Sequence, residues 1–328
     1  MFISIFGSIE AGIIYALMAL GVYLSFRILD FPDLTVDGSF VTGAAVAALM
    51  IVSGYSPFIA TVVAVLAGFL AGCVTGILHT KGKINPLLSG ILMMIALYSI
   101  NLRIMGGPAI SLLKEKTIFS AITDVWQKIG LDTPLNGMLK SLGLAQVPKT
   151  WAIVIFVLFV TIIVKILVDQ FLKTEIGLAI RATGDNKRMI RSFSANTDML
   201  IILGLGLSNG LVAFSGSLIA QHGRFADVGL GIGMIVIGLA SVIIGEAIFG
   251  TKTIARTTLA VICGAIIYRI VVTLALKVEF LETGDMKLIT AVLVIVALVA
   301  PKIIESSRDK QRKKQKRATL QTGGNEHA

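Results

Sequence analysis

Residues 151–172 read WAIVIFVLFVTIIVKILVDQFL, a nearly unbroken apolar run. A membrane-spanning helix needs roughly 20 mainly apolar residues, so this run is long enough to cross a bilayer. Comparable runs recur along the 328 residues, of which 55% are apolar and only 15% charged. In a soluble globular domain about a quarter of the residues are charged. The composition therefore excludes a disordered chain, a secreted disulfide scaffold and a cytosolic enzyme, and it predicts an all-α, polytopic membrane helical bundle.

Nine segments are apolar and long enough to be membrane spans, and their boundaries allow a count of eight to ten. We expect residues 1–304 to form one transmembrane domain. The predicted spans are 3–26, 38–53, 56–79, 84–105, 151–172, 197–220, 228–250, 253–276 and 286–304.

Cationic residues clustered between positions 308 and 317 decide the expected orientation. Cytoplasmic flanks of membrane helices are enriched in Lys and Arg, so we expect 305–328 to be a disordered cytoplasmic tail that contacts anionic lipid rather than nucleic acid. Alternating the spans backwards from this tail makes 173–196 a cytoplasmic loop and 106–150 an extracellular connection. Within that connection, residues 117–131 are compatible with a short interfacial helix.

The sequence shows no motif of enzyme or cofactor chemistry. Cys73 and Cys263 lie in apolar stretches without metal-ligand spacing, which is typical of packed thiols. The three histidines are dispersed, which argues against a zinc site or a catalytic triad. Residues 245–252 have the glycine spacing of a phosphate-binding loop but the wrong Thr-Lys order.

Three glycines in the third span predict close helix packing. Gly68, Gly72 and Gly76 recur at every fourth residue. Such spacing lets a neighbouring backbone approach closely, which matters in lipid because helix association there has no hydrophobic drive. The signal is structural and does not identify a substrate.

A weak internal repeat relates two parts of the chain. Residues 31–38, FPDLTVDG, align with residues 225–232, FADVGLGI, and each stretch opens a span rich in small residues. The expected topology places the first copy on the cytoplasmic side and the second on the extracellular side, as inverted repeats require. We therefore expect discontinuous helices at these two breaks, where free backbone groups can meet a polar substrate inside the membrane.

Polar side chains inside spans are costly in lipid and are therefore candidates for a translocation pathway. The alternative for the hydroxyls is a bond to their own helix backbone, and the alternative for the amides is a bond between helices. Charged residues near span ends, Glu10, Glu246, Arg256 and Arg269, are better explained by pairing or snorkelling than by a proton relay. The candidate pathway residues are Asp37, Ser39, Thr42, Asn101, Ser208 and Asn209.

The predicted cytoplasmic loop contains TEIGLAIRATGDN at residues 174–186. This stretch is compatible with a helix that ends at Gly184, where a glycine can adopt the left-handed C-terminal cap. A second helical stretch at 187–193 then leads into the sixth span. Two short helices joined by a tight glycine turn form a rigid knob that can transmit force, whereas an ordinary interfacial loop cannot. Both interpretations remain open on these residues alone.

The same stretch resembles the coupling-helix signature of ABC-transporter permeases of the branched-chain amino acid and ribose importer type. The resemblance extends to residues 31–48 and 215–250, and so over most of the chain. It implies the membrane subunit of an ATP-driven importer for a small polar solute, an amino acid above all, close to the single-permease group of aromatic amino acid importers. The residues that it assigns to contact with the ATPase are Glu175, Gly177, Arg181, Gly184, Asp185 and Asn186.

The resemblance also implies a set of partners. ATP would be bound by a separate ATP-binding subunit, so no cofactor is expected in this chain. A solute-binding lipoprotein or periplasmic protein would deliver the solute. A second copy of the permease would complete a homodimer in a bacterial cytoplasmic membrane.

An ion-coupled secondary transporter is the main alternative, because inverted repeats occur in that class too. Such a transporter is expected to carry a buried carboxylate for its ion, and Asp33 and Asp37 keep this alternative open. A membrane-embedded enzyme acting on lipids is disfavoured, since the sequence shows no cluster of acidic metal ligands at a membrane face. The predicted knob favours the ATP-driven importer.

Overall fold

The computed structural model describes residues 2–130, 132–134, 136, 147–192 and 195–275, together with positions 288, 291, 292, 295 and 299. Most of these residues are helical, as the apolar runs predict. The helices are α1 (Phe2–Tyr23), α2 (Thr35–Val52), α3 (Pro57–Thr80), α4 (Pro86–Met105), α5 (Ile118–Ile129), α6 (Ala152–Phe171), α7 (Glu175–Asp185), α8 (Lys187–Ser192), α9 (Thr197–Gly223), α10 (Met234–Phe249) and α11 (Ile254–Ala275). Two strands, β1 (Ala109–Ser111) and β2 (Phe225–Asp227), form an antiparallel pair.

Eight helical segments of the described chain are long and apolar enough to span a membrane. They match the first eight predicted spans, so the polytopic helical bundle is confirmed. The spans are α1 with the π-helical turn Leu24–Ile28, α2, α3, α4, α6, α9, α10 with the 3-10 turn Val228–Gly231, and α11. The ninth predicted span, 286–304, lies outside the described residues apart from the isolated positions, and the predicted tail 305–328 lies wholly outside them.

Helix α9 is the centre of the packing. It packs against α3, α2 and α1, while α1 also packs against α11, α10 and α6. Leu17, Met18 and Leu20 of α1 are fully buried, whereas α3, α4 and α6 expose many large apolar side chains, as faces turned towards lipid do. In the connection from α1 to α2, Leu29, Phe31 and Asp33 are buried, whereas Asp30 and Pro32 are exposed.

The glycine stripe of α3 faces α9. A Cβ at Gly72 would lie 2.2 Å from the Leu205 carbonyl oxygen, and one at Gly68 would lie 2.2 Å from the Cβ of Ala213. Ordinary contacts of a Cβ are 3.4–4 Å long. Only glycine lets the two backbones come this close, so the predicted role of the stripe in helix packing is confirmed.

The two ends of the bundle carry different structures. β1 and β2 pair with Ala109 opposite Asp227, which places the chain after α4 and the chain after α9 at one end. α5 follows at this end and confirms the helix expected within 117–131, with a capping box at Thr117 and Ser120. At the other end, α7 packs against α9 and against the π-helical turn after α1. The membrane side of each end stays a prediction.

Candidate functional site

The first break in the bundle lies between α1 and α2, at residues 29–34. The Asp33 carboxylate is fully buried there. It accepts hydrogen bonds from the Thr35 backbone N–H at 2.9 Å and from Asn209 Nδ2 at 2.6 Å. Since Asn209 belongs to α9, this polar contact ties the break to the central helix.

The second break precedes α10 and repeats the local geometry of the first. Asp227 Oδ1 accepts a hydrogen bond from the Gly229 N–H at 2.6 Å, as Asp33 Oδ1 does from Thr35. α2 and α10 are the second and seventh of the eight spans in the described chain, so they run in opposite directions. The two aligned sequence segments therefore form equivalent breaks in inverted orientation.

Asp37 joins the two breaks. Its carboxylate accepts hydrogen bonds from the Gly233 N–H at 2.9 Å and from the Ile235 N–H at 2.8 Å, at the start of α10. Asp37 itself lies in the first turn of α2. One negative charge thus faces the N-termini of two helices, where the helix dipoles stabilise anions. Discontinuous helices of two inverted repeats meet in this way at the repeat interface.

A cavity of ≈ 360 Å³ opens beside Asp37, between α2, α4 and the Val228–Gly231 turn. Pockets for small molecules typically measure about 300–1,000 Å³. Asn101 lines the cavity and is held in place because its Oδ1 accepts from Thr42 Oγ1 at 2.9 Å and its Nδ2 donates to the Gly38 carbonyl at 3.2 Å. The other lining residues are Gly38, Val41, Met94, Ile95, Tyr98, Val228, Gly231 and Ile232. A carboxylate and an amide are therefore combined with apolar walls.

Four other predicted pathway residues lie between helices rather than along this cavity. Ser39, Thr42, Ser208 and Asn209 are all buried. Ser208 donates to the Gly21 carbonyl of α1 at 2.7 Å. The Ser39 hydroxyl and Asn209 Oδ1 have no hydrogen-bond partner within the described residues. A role of these four residues in translocation stays a prediction.

Charged residues near the span ends are paired, as the sequence indicates. Arg27 Nε donates to both carboxylate oxygens of Glu246 at 3.0 Å. His222 Nε2 lies 3.6 Å from a Glu10 oxygen, and the Arg269 guanidinium lies 5.0 Å from the centre of an aromatic ring. These contacts offset the cost of charge near the lipid.

The knob, residues 174–192, is attached to α6 at its beginning. Thr174 caps α7, because its hydroxyl accepts a hydrogen bond from the Gly177 N–H at 3.2 Å. A Cβ at Gly177 would lie 2.1 Å from the Phe171 carbonyl oxygen at the end of α6. The Thr-x-x-Gly pattern thus starts the helix and holds it against the preceding span.

Gly184 does not end α7, so the predicted left-handed cap is wrong. The helix continues to Asp185 and is followed by Asn186 in an extended conformation, with φ of −152°. A Cβ at Gly184 would lie 2.0 Å from the carbonyl oxygen of Ile28, the last residue of the π-helical turn after α1. The glycine is required for close packing between two segments and not for a special backbone angle.

Asn186 is the joint between the two helices of the knob. Its Oδ1 accepts hydrogen bonds from the N–H groups of Arg188 and Met189, each at 3.1 Å, and so caps α8. Within the described residues α8 ends at Ser192, and the predicted end at Phe193 lies outside them. The predicted pair of short helices is confirmed, with its joint two residues later than expected.

The outer surface of the knob is apolar with a charged surround. Ile176 and Leu178 are each 51% exposed, and Met189 is 44% exposed. The exposed charged residues of the knob are Glu175, Asp185, Arg188 and Arg191. Exposed apolar side chains next to charged ones are compatible with a protein-binding surface, and a partner at the knob stays a prediction.

Arg181 faces a different environment from the other charged residues of the knob. It is half-buried and lines a cleft of ≈ 690 Å³ together with Arg27 and Asp30. Arg181 therefore lies where the knob faces the π-helical turn after α1, as Gly184 does.

The sequence does not single out a contact between α8 and α3. Lys187 Nζ lies 3.2 Å from His79 Nε2, although 108 positions separate the two residues. The His79 ring also meets the Phe31 ring edge-on, with 5.2 Å between centroids. Burial, and to a smaller extent the neighbouring charge of Arg191, lower the pKa of Lys187. Neither residue belongs to a recognisable motif, and only tertiary packing shows the contact.

Two inverted breaks that share a carboxylate, inside a bundle with an attached knob, define a membrane transport protein. The chain belongs to the family described as branched-chain amino acid transport system / permease component, which matches residues 4–299. It is therefore a multi-pass permease component of an ABC-type transport system, and the family is one of transport proteins rather than enzymes.

The chain is similar to several curated permeases. It is 45% identical over 286 residues to the tyrosine transport system permease protein of Clostridioides difficile, which covers 87% of each chain. It is 25% identical over 287 residues to a fructose import permease protein of Bifidobacterium longum, covering 86% of this chain and 73% of that protein. It is 27% identical over 212 residues to a galactofuranose transporter permease protein of Escherichia coli, covering 65% and 54%. No solved structure matches the chain significantly.

Proposed function

We propose that this chain is the membrane subunit of an ATP-driven importer of an amino acid, with tyrosine as the first candidate solute. The observation that carries the proposal is the knob. It presents an exposed apolar surface, yet its backbone touches two spans through Gly177 and Gly184. Displacement of the knob by a partner would therefore also displace the two spans that it contacts. The family and the similarity to a tyrosine permease support ATP-driven transport of an amino acid.

The proposed complex contains two permease copies in a bacterial cytoplasmic membrane, with the knob and the basic tail on the cytoplasmic side. An ATP-binding subunit docks on the knob and binds all the ATP, so the permease itself carries no cofactor. A solute-binding lipoprotein or periplasmic protein delivers the amino acid on the other side. The tail contacts anionic lipid and not nucleic acid.

In the proposed cycle, ATP draws the ATP-binding subunits together and they displace the knob. α7 then displaces the π-helical turn after α1 at Ile28, where the two backbones are in contact. Residues 29–34 carry the movement to the start of α2. Because Asp37 holds the start of α2 to the start of α10, the two inverted halves move as a unit.

The proposed pathway passes the cavity beside Asp37 and Asn101. Its apolar walls suit the side chain of an aromatic amino acid, and its two polar groups suit the polar part of the solute. The assignment of Asp37, Asn101 and the four buried polar residues to the pathway is part of this proposal.

The test is transport by purified components. Affinity purification of the permease in mild detergent identifies the ATP-binding subunit that accompanies it, and the complex is reconstituted in proteoliposomes with its solute-binding protein. We expect uptake of radiolabelled tyrosine to require ATP and to be insensitive to ionophores that collapse proton and sodium gradients. Uptake by the permease alone on an ion gradient would contradict the proposal.

One observation favours the secondary transporter as a second candidate. Asp33 is fully buried, and the bonds to its carboxylate come from neutral donors, which is compatible with an ion-binding carboxylate. The same proteoliposomes separate the two candidates. An ion-coupled transporter would lose its ion dependence in Asp33→Asn, whereas an ATP-driven importer has no such dependence to lose.

A further inference from the structure

Residues 29–34, the segment between the π-helical turn and α2, pack against both the knob and α9. Leu29 and Phe31 pack in one apolar cluster with Ile180 of α7 and Leu205 of α9. The contact at Gly184 provides the first attachment of the knob to this region. These contacts hold α7 against the segment, but none of them involves α8. An attachment of α8 itself is needed if displacement of α8 is to reach the segment.

The Lys187–His79 contact is such an attachment. A carbonyl oxygen can only accept, so the 2.8 Å contact between His79 Nδ1 and the Ile84 carbonyl places the imidazole proton on Nδ1. An ammonium group can only donate, so the Nε2 lone pair accepts the hydrogen bond from Lys187 at 3.2 Å. Both nitrogens of a neutral ring are thereby used, one for the α3–α4 turn and one for the knob.

The same face of α3 also touches the break before α2. The His79 ring meets Phe31 edge-on. One helical turn earlier, Thr75 Oγ1 lies 2.8 Å from Thr35 Oγ1 at the start of α2. Residues four apart share a helix face, so α3 presents two consecutive contacts to the segment that leads from the knob to Asp37.

We propose that His79 is a positioning residue that transmits displacement of α8 to the break before α2, through Lys187 on one side and Phe31 on the other. The inference rests on the proposed ATP-driven function, since it assigns a role within that cycle. A neutral imidazole supplies the donor for the Ile84 carbonyl and the acceptor for the Lys187 ammonium group.

Two substitutions of His79 separate its two hydrogen bonds. In His79→Asn the amide nitrogen stands near the place of Nδ1 and keeps the bond to Ile84, while the acceptor for Lys187 is lost. In His79→Gln the amide oxygen stands near the place of Nε2 and keeps the bond to Lys187, while the bond to Ile84 is lost. Lys187→Met removes the donor at nearly constant side-chain length.

The assay is tyrosine carried per ATP hydrolysed by the reconstituted complex. We expect this ratio to fall about tenfold in His79→Asn and in Lys187→Met, a factor that corresponds to about 1.4 kcal/mol. We expect His79→Gln to retain a higher ratio than His79→Asn, because both variants lose the ring contact with Phe31 but only His79→Gln keeps the acceptor for Lys187. The double variant His79→Asn/Lys187→Met should be no worse than either single variant, because both remove the same contact. Equal ratios in His79→Asn and His79→Gln would overturn the inference.

Hydrogen–deuterium exchange of the purified permease gives a readout that needs no transport. In Lys187→Met we expect faster exchange both in α8 and in residues 29–34, whereas faster exchange in α8 alone would overturn the inference. Failure of the wild-type complex to use ATP would refute the proposed function itself. A wild-type complex that uses ATP, with unaffected His79→Asn, would refute only the role of His79.

Discussion

Replacing Gly184 with alanine tests whether the knob drives the bundle through direct backbone contact. The added Cβ would lie 2.0 Å from the Ile28 carbonyl oxygen, while ordinary Cβ contacts begin at 3.4 Å. The difference between these two distances, 1.4 Å, is the distance by which α7 must withdraw from the Ile28 carbonyl oxygen to reach ordinary contact.

The energetic cost falls on docking and not on the helix. Overpacking of this kind costs about 1–3 kcal/mol. Alanine is better than glycine inside a helix by about 1 kcal/mol, so α7 itself should remain helical. Since α7 is helical whether or not the knob is docked, the full cost of about 1–3 kcal/mol falls on docking and lowers the ratio of docked to undocked knob by about 5- to 160-fold.

Tyrosine uptake by the reconstituted complex measures the effect, and Gly107→Ala is the matched control. A Cβ at Gly107 would meet nothing within 4 Å, so this variant should behave as wild type. We expect Gly184→Ala to bind the ATP-binding subunit but to lose most of its uptake. If both variants transport tyrosine at the same rate per ATP, then close contact with Ile28 is irrelevant to coupling.

Three further changes test other contacts. Asp37→Asn removes the charge that faces two helix N-termini, worth about 0.3–1 kcal/mol at each, and replaces one of the two accepting oxygens with an NH2 group. It should lower the thermal midpoint of the detergent-solubilised permease, and an unchanged midpoint would show that the carboxylate does not hold the two breaks together. Asn209→Ala removes a hydrogen-bond donor to the buried Asp33 carboxylate and should lower the stability of the folded permease by about 1–3 kcal/mol, again seen as a lower thermal midpoint. A wild-type midpoint would count against a structural role for this bond. Thr174→Ala removes the N-cap of α7, worth about 1 kcal/mol, and should speed amide exchange in the first turn of α7. Thr174→Ser keeps the capping hydroxyl and should not, so identical exchange in the two variants would contradict the cap.

The sequence predicts those features that depend on composition along the chain. Apolar runs of about 20 residues identify the spans, because the thickness of the hydrocarbon core sets the length of a helix that can cross it. The glycine stripe of α3 and the two repeat segments can also be found from the sequence, because the first is a regular spacing and the second is a similarity between two short stretches. The pattern at 174–186 likewise identifies a short helical knob and a resemblance to transport permeases.

The role of individual site residues depends on contacts that no local pattern contains. The sequence interprets Gly184 as a helix cap, although its real constraint is the Ile28 carbonyl of a different helix. Asp37 meets Gly233 across 196 positions of sequence, and Lys187 meets His79 across 108. Hydrogen bonds and close packing act over a few ångströms in space, and which residues come within that range is decided by how the spans pack against α9. The sequence by itself therefore determined the polytopic helical class and the positions of the described spans, and it indicated a permease by resemblance. Only the tertiary structure decided which carboxylate joins the inverted repeats and how the knob is attached to them.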